Sequence, residues 1–124
     1  MEYTVKELGT MSGVTSRTLR YYDQIGLLKP KRVTEAGYRL YGREQVERLQ
    51  QILIFKNMGL GLYQIAELLE MPDSRLSTLG EHLSELKRRR FELDLLIDNV
   101  AKTIAEQRGE LTMTDQERFE GLKK

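Results

Sequence analysis

Between Ser12 and Asp23 the chain reads Ser12-Gly13-Val14-Thr15-Ser16-Arg17-Thr18-Leu19-Arg20-Tyr21-Tyr22-Asp23. Ser12 and Gly13 supply a tight turn, because glycine tolerates a positive φ at no steric cost. Thr15 and Ser16 both suit an N-cap, so a helix begins there and runs through Asp23. Upstream, Thr4 lies three residues before Glu7, the capping-box interval. Val5, Leu8 and Met11 then share one face of a short helix over 4–11. Two short helices joined by a glycine turn form a helix-turn-helix pattern, which by itself occurs in many helical proteins.

Downstream, Gly26 ends the second helix, and Pro30 prevents it from resuming. Lys31-Arg32-Val33 and Tyr38-Arg39-Leu40-Tyr41 read as two short strands, joined by a hairpin loop with Gly37 at a left-handed position. An isolated two-stranded ribbon is marginal in water, so this one packs on the helices or reaches a partner. Arg43 to Met58 is an amphipathic helix with Val46, Leu49, Ile52, Leu53 and Lys56 at three- and four-residue steps. Gly59 and Gly61 stop it, a shorter helix covers Leu62 to Glu70, and Met71 to Ser74 reads as a turn.

The last long helix is expected to begin near Leu76. Leu79, Leu83, Leu86, Arg90, Leu93, Ile97, Val100 and Ile104 alternate steps of four and three, a heptad seam sustained over more than three repeats. From Leu79 to Arg108 such a helix spans about 45 Å at 1.5 Å per residue. Its stripe calls for a partner chain, since each exposed large apolar side chain forgoes roughly 1.5–3 kcal/mol. The competing arrangement is a lid folded over the same chain. At Arg90 either the head snorkels outward or Phe91 turns inward instead. Gly109 ends the helix, and the polar stretch from Leu111 to Lys124 reads as a tail. Its Arg118-to-Lys123 segment suits a single helical turn with no core in this chain to hold it.

Composition narrows the chemistry. With no cysteine there is no disulfide, thiolate metal site or cysteine nucleophile, and His82 is the single histidine. No run approaches the roughly 18 apolar residues of a membrane span, and the N-terminus lacks a signal-peptide pattern. Residues 1–62 hold ten Lys and Arg against six Asp and Glu, a balance of +4. Residues 63–124 hold ten against thirteen, or −3. The anion-seeking surface therefore belongs to the first half. Glu44 with Glu47 and Glu81 with Glu85 read as exposed helical neighbours, His82 as a surface or seam residue, and Gly59-Leu60-Gly61 lacks the context of a phosphate loop. No catalytic constellation and no metal site are expected.

Two segments combine cations with aromatic rings. On the second helix Arg17, Arg20 and Tyr21 share a face, flanked by Ser16 and Thr18. Arginine can chelate guanine in the major groove, while hydroxyls bond phosphates. On the hairpin, Arg32, Tyr38, Arg39 and Tyr41 are placed to straddle a phosphate backbone. Each residue alone reads more readily as an ordinary solvated Arg or half-buried Tyr; it is the ordered set that points to nucleic acid.

The segments Thr4-to-Leu8, Ser12-to-Asp23, Ile25-to-Leu28, Gly37-to-Tyr41 and Leu49-to-Leu53, in this order, resemble the MerR family of transcription regulators. The likeness covers residues 3–70, and the long helix continues it. The resemblance implies a mainly α fold: a winged helix-turn-helix head (1–74) with a small β-hairpin wing, a dimerisation helix (75–109) pairing as an antiparallel coiled coil, and a tail (110–124). It implies DNA contacts from Ser16, Arg17, Thr18, Arg20 and Tyr21 in the major groove. Tyr22 either buttresses the helix or touches phosphate. The wing would act through Tyr38, Arg39 and Tyr41, and Lys56 would reach a flanking phosphate. Leu79, Leu83, Leu86, Leu93, Ile97, Val100 and Ile104 would carry the homodimer.

The implied function is a cytoplasmic, nucleoid-associated activator that distorts a pseudo-palindromic, long-spacer promoter for RNA polymerase. An antirepressor or adaptor that binds protein through the same fold is the alternative, and it would call for replacement of the Arg and Tyr set. Family members usually carry a sensor beyond the dimer helix. The missing cysteines disfavour the metal-sensing branches, and the tail resembles the start of the effector domain in the drug-responsive, TipA-like branch. The chain then reads as a truncated regulator with no cofactor, no ligand-sized pocket and no small-molecule ligand.

Overall fold

Thr4 begins the architecture by capping a helix and pairing in a sheet at once. The computed structural model describes residues 1–123. Their elements are β1 (Tyr3–Thr4), α1 (Val5–Ser12), α2 (Ser16–Gln24), β2 (Arg32–Val33), β3 (Arg39–Tyr41), α3 (Arg43–Asn57), α4 (Leu62–Leu69), α5 (Pro72–Gln107) and a 3₁₀ turn (Glu117–Phe119). Contacts divide the chain into two compact units, Met1–Arg75 and the part from Leu76 onward.

In the first unit the expected capping box closes. Thr4 Oγ1 accepts from the Glu7 amide at 3.1 Å, and the Thr4 amide donates to Glu7 Oε1 at 2.9 Å. Gly13 takes φ 76° to end α1. Gly9 is required for a different reason: a Cβ there would stand 2.7 Å from the Val14 carbonyl oxygen, so the turn passes close only over glycine. Thr15 then caps α2 by accepting from the Thr18 amide at 3.1 Å. The hairpin closes over Gly37 at φ 86°, with the Thr34 amide donating to the Tyr38 carbonyl at 2.8 Å.

The sheet has three antiparallel strands in the order β1-β3-β2. Tyr3 and Thr4 read from sequence as the lead into a helix, yet they pair with Tyr41 and Leu40. This third strand anchors the marginal ribbon to the body of the head. Leu8, Leu19, Tyr22, Leu27, Leu28, Tyr41, Leu49, Ile52, Phe55, Ile65 and Leu69 form one buried core beneath α1, α2, α3 and α4. Fully burying a side chain such as Leu19 contributes roughly 1.5–3 kcal/mol. Between α1 and α3 the head keeps an apolar groove of about 400 Å³, lined by Leu8, Met11, Val46, Leu49, Leu53 and Ile54 among others. The expectation of no pocket is therefore corrected, because the small-helix core does not fill the angle between these two helices.

The segment from Met71 to Ser74 is not a turn: α5 starts at Pro72. Proline at the first helical position lacks only an amide hydrogen that no helical carbonyl would accept. Asp73 in the same turn places a carboxylate at the positive end of the helix dipole.

The second unit contains the rest of α5 and the tail. Leu83, Leu86, Leu93, Ile97, Val100 and Ile104 lie 45–63% exposed along the helix, with Leu79 half-buried. Arg90 and Phe91 are both exposed. The tail finds the core that the sequence reading denied it. Gly109 turns the chain at φ 78°, and Met113 is buried against the helix. Buried Asn99 donates through Nδ2 to the carbonyls of Arg118 at 3.0 Å and Glu120 at 2.8 Å. Arg118 forks onto Glu106 at 2.8 and 2.9 Å. Thr114 and Glu117 form a second reciprocal cap, which with the Lys102 ammonium holds the Glu117 carboxyl down at about 2, the Thr114 amide contributing most. A Cβ on Gly121 would stand 2.7 Å from the Leu96 amide nitrogen, so the tail lies directly on the helix backbone.

Candidate nucleic-acid interface

The exposed face of α2 is built by helical spacing. Ser16, Arg17, Arg20 and Tyr21 are exposed on it, and Thr18 is half-buried. The Thr18 hydroxyl accepts from Thr15 Oγ1 at 2.8 Å. Arg17, Arg20, Tyr21 and Gln24 line one shallow concavity. Gln24, which the sequence reading passed over, ends the same row and carries an amide able to donate and accept.

A second hollow, of about 360 Å³, lies among the start of α1, the start of α2 and the hairpin tip. Thr4, Lys6, Ser16, Arg20, Tyr38 and Arg39 line it with Val5 and Gly37. Three cations and three hydroxyls thus face one space, the donor set of a phosphate seat. Lys6 was missed. Its signal was its place in the first turn of α1, immediately beside the glycine-closed hairpin once the sheet forms.

Tyr38 is 69% exposed, while Arg39 is partly covered. Arg39 Nε donates to Asp23 Oδ2 at 2.8 Å, and Lys29 stands 3.5 Å from the other carboxylate oxygen. The Arg39 guanidinium, followed by Lys29, keeps the Asp23 carboxyl below its usual range against the opposing effect of burial.

Three expected contacts change character. Tyr41 is fully buried, with no hydrogen-bond partner for its hydroxyl among the described residues. Burial raises its pKa. Tyr41 lies two residues beyond Arg39 and so on the same face of β3, the face turned to the body of the head; Arg39 sits partly covered at its rim, while the ring of Tyr41 is fully buried and cannot meet DNA. Tyr22 is also buried, and its hydroxyl accepts from Lys56 Nζ at 3.3 Å. Of its two expected roles, the structure favours the buttress. Arg32 is taken by Glu2, which it grips through Nε and Nη2 at 2.9–3.3 Å, with Lys31 3.7 Å from the same carboxylate. Lys56 remains exposed, above Tyr22 at the end of α3.

The MerR HTH family regulatory protein model matches residues 3–71, and the MerR DNA-binding model matches residues 46–113. The HTH-type transcriptional activator mta of Bacillus subtilis is 41% identical over 123 residues, covering 98% of this chain and 48% of that protein. The chain thus spans about half the length of the curated relatives it matches. The crystal structure of the regulator SkgA from Caulobacter crescentus superposes with a TM-score of 0.74 at 38% identity, covering 99% of this chain and 89% of that one. HiNmlR, described as a MerR family regulator lacking the sensor domain and bound to promoter DNA, superposes at 0.65 with 27% identity over 88% of this chain and 92% of its own. With a mainly α winged helix-turn-helix head, a three-stranded sheet and one long helix, and with family models covering most of its length, the chain belongs to the MerR family of helix-turn-helix regulatory proteins.

Proposed function

We propose that this chain is the DNA-binding and dimerisation part of a transcription activator. The observation that carries the reading is the convergence of Lys6, Arg20 and Arg39 on one cleft beside the exposed Arg17 and Tyr21 of α2. Residues 1–74 grip duplex DNA: α2 enters the major groove with Ser16, Arg17, Thr18, Arg20 and Tyr21, while Tyr38, Arg39 and Lys56 hold phosphates. Residues 75–109 pair with a second copy along the apolar seam. A two-fold dimer places two recognition helices on the half-sites of a pseudo-palindrome. Its contacts offset a bending and untwisting cost of a few kcal/mol in a long spacer, bringing the promoter elements into a register that RNA polymerase can use. HiNmlR, bound to promoter DNA without its sensor domain, supports the view that this portion of the fold suffices for binding. The nucleoid of the cytoplasm is where such a dimer acts.

The test is footprinting on the promoter of the chain's own gene, followed by titration of Arg17→Ala and Arg20→Ala. An arginine that reads a base costs roughly 1–3 kcal/mol at the cognate site when removed and much less on random duplex. Absence of any footprint, together with undiminished binding by both variants, refutes the reading.

A further inference from the structure

We infer that Asp23 is a positioning residue that aims the Arg39 guanidinium into the cleft as a seat for one DNA backbone phosphate. The inference rests on the DNA-binding reading above and names a residue that the reading does not use. Asp23 lies on α2 and Arg39 on β3, sixteen residues apart. Their bond engages Nε, at the inner edge of the guanidinium. The five donors of arginine form a fixed planar fork, so fixing Nε fixes the direction of both terminal nitrogens. Among the described residues the hydrogen bond between Arg39 and Asp23 runs through Nε and none uses a terminal nitrogen, and the arginine lines the cleft together with Lys6, Arg20, Thr4 and Ser16.

A carboxylate beside a polyanion is unfavourable unless it does something else. If Asp23 were merely a surface charge, its removal would strengthen binding through simple electrostatics. In this geometry, a free Arg39 would instead lose its preorganisation and spread over many rotamers. Asp23 also ties the hairpin to the recognition helix, so the same bond sets the register between the phosphate contact and the groove contact. Lys29, 3.5 Å away, offsets part of the carboxylate's charge.

The test is a double-mutant cycle read by fluorescence anisotropy on a duplex carrying the footprinted site, over a range of salt concentrations. The proteins are wild type, Asp23→Asn, Asp23→Glu, Arg39→Ala and the double variants Asp23→Asn/Arg39→Ala and Asp23→Glu/Arg39→Ala. Arg39→Ala should weaken binding and lower the magnitude of the salt slope by about one, as expected for one lost phosphate contact. Asp23→Asn should weaken binding about tenfold, within the range for a charge-assisted bond. It should have no further effect once Arg39 is gone, and Asp23→Glu, which keeps the carboxylate, should recover part of the loss. Binding by Asp23→Asn that equals or exceeds wild type overturns the inference. So does an equal loss on both Arg39 backgrounds, which would assign Asp23 to folding alone. Should Asp23→Asn fail to fold, the inference stands or falls on Asp23→Glu: a loss that persists after Arg39→Ala overturns it, and one that disappears supports it. A wild-type chain that binds no duplex overturns the DNA-binding reading itself, an outcome distinct from all of these.

Discussion

Asn99→Leu should release the tail from the long helix without unfolding the helix. Asn99 is 6% exposed, and its amide donates to two carbonyls, those of Arg118 and Glu120. Leucine keeps the branched four-heavy-atom skeleton, so the change chiefly removes the hydrogen bonds of the amide. Each intramolecular hydrogen bond contributes about 0.5–1.5 kcal/mol net, and the two carbonyls regain water once the tail lifts. The expected loss is therefore about 1–3 kcal/mol of closure free energy, confined to residues 110–123. At 1.4 kcal/mol per factor of ten, a 2 kcal/mol loss raises the local opening population about thirtyfold. Native-state hydrogen exchange reads this directly. The amides of Met113, which donates to Glu106, and of Glu117, which donates to Thr114, should exchange about thirty times faster. Amides in the middle of α5 near Leu86 should keep their protection. Unchanged exchange at Met113 and Glu117 would refute the claim that Asn99 locks the tail. Loss of protection along the whole helix would show that the clamp is not local.

Three other outcomes are expected. Leu93→Glu puts a charge into the apolar seam, which is strongly unfavourable if a second copy covers it; analytical ultracentrifugation should find monomers, and a dimer of wild-type strength would place the interface elsewhere. Tyr41→Phe removes a buried hydroxyl that has no partner among the described residues, so Tm should hold or rise and DNA affinity should not change; a clear loss of affinity would return Tyr41 to the interface. Glu117 has a folded pKa of about 2 against an ordinary 4.5. A depressed carboxyl stabilises above its unfolded pKa and loses that effect as pH falls through the folded value, so tail protection should be full above about 4.5 and fade toward 2; exchange at Thr114 that is flat across this window would refute the assignment.

The sequence by itself determined most elements whose cause is local, the Pro72 start of α5 and the Thr114–Glu117 cap being the local features it passed over. The Thr4 and Glu7 cap, the Gly13 and Gly37 turns, the amphipathic α3 and the heptad seam all depend on residues within one or two helical turns of each other. The recognition-helix face is legible for the same reason, because helical spacing alone brings Arg17, Arg20 and Tyr21 together. Tertiary structure decided what depends on contacts between distant segments. Strand β1 exists because Tyr3 meets Tyr41 across the sheet, and two residues carry no period of their own. The same pairing turns Tyr41 inward, a consequence of strand register that no composition reveals. Arg32 and Arg39 look alike in the sequence, but one is held by Glu2, thirty residues away, and the other by Asp23. The tail looks polar and unsupported until Asn99, Glu106 and Lys102 on the helix meet its carbonyls and charges. A polar segment can be held by specific hydrogen bonds as well as by apolar burial, and hydrogen-bond partners, unlike apolar periodicity, leave no repeating mark in the sequence.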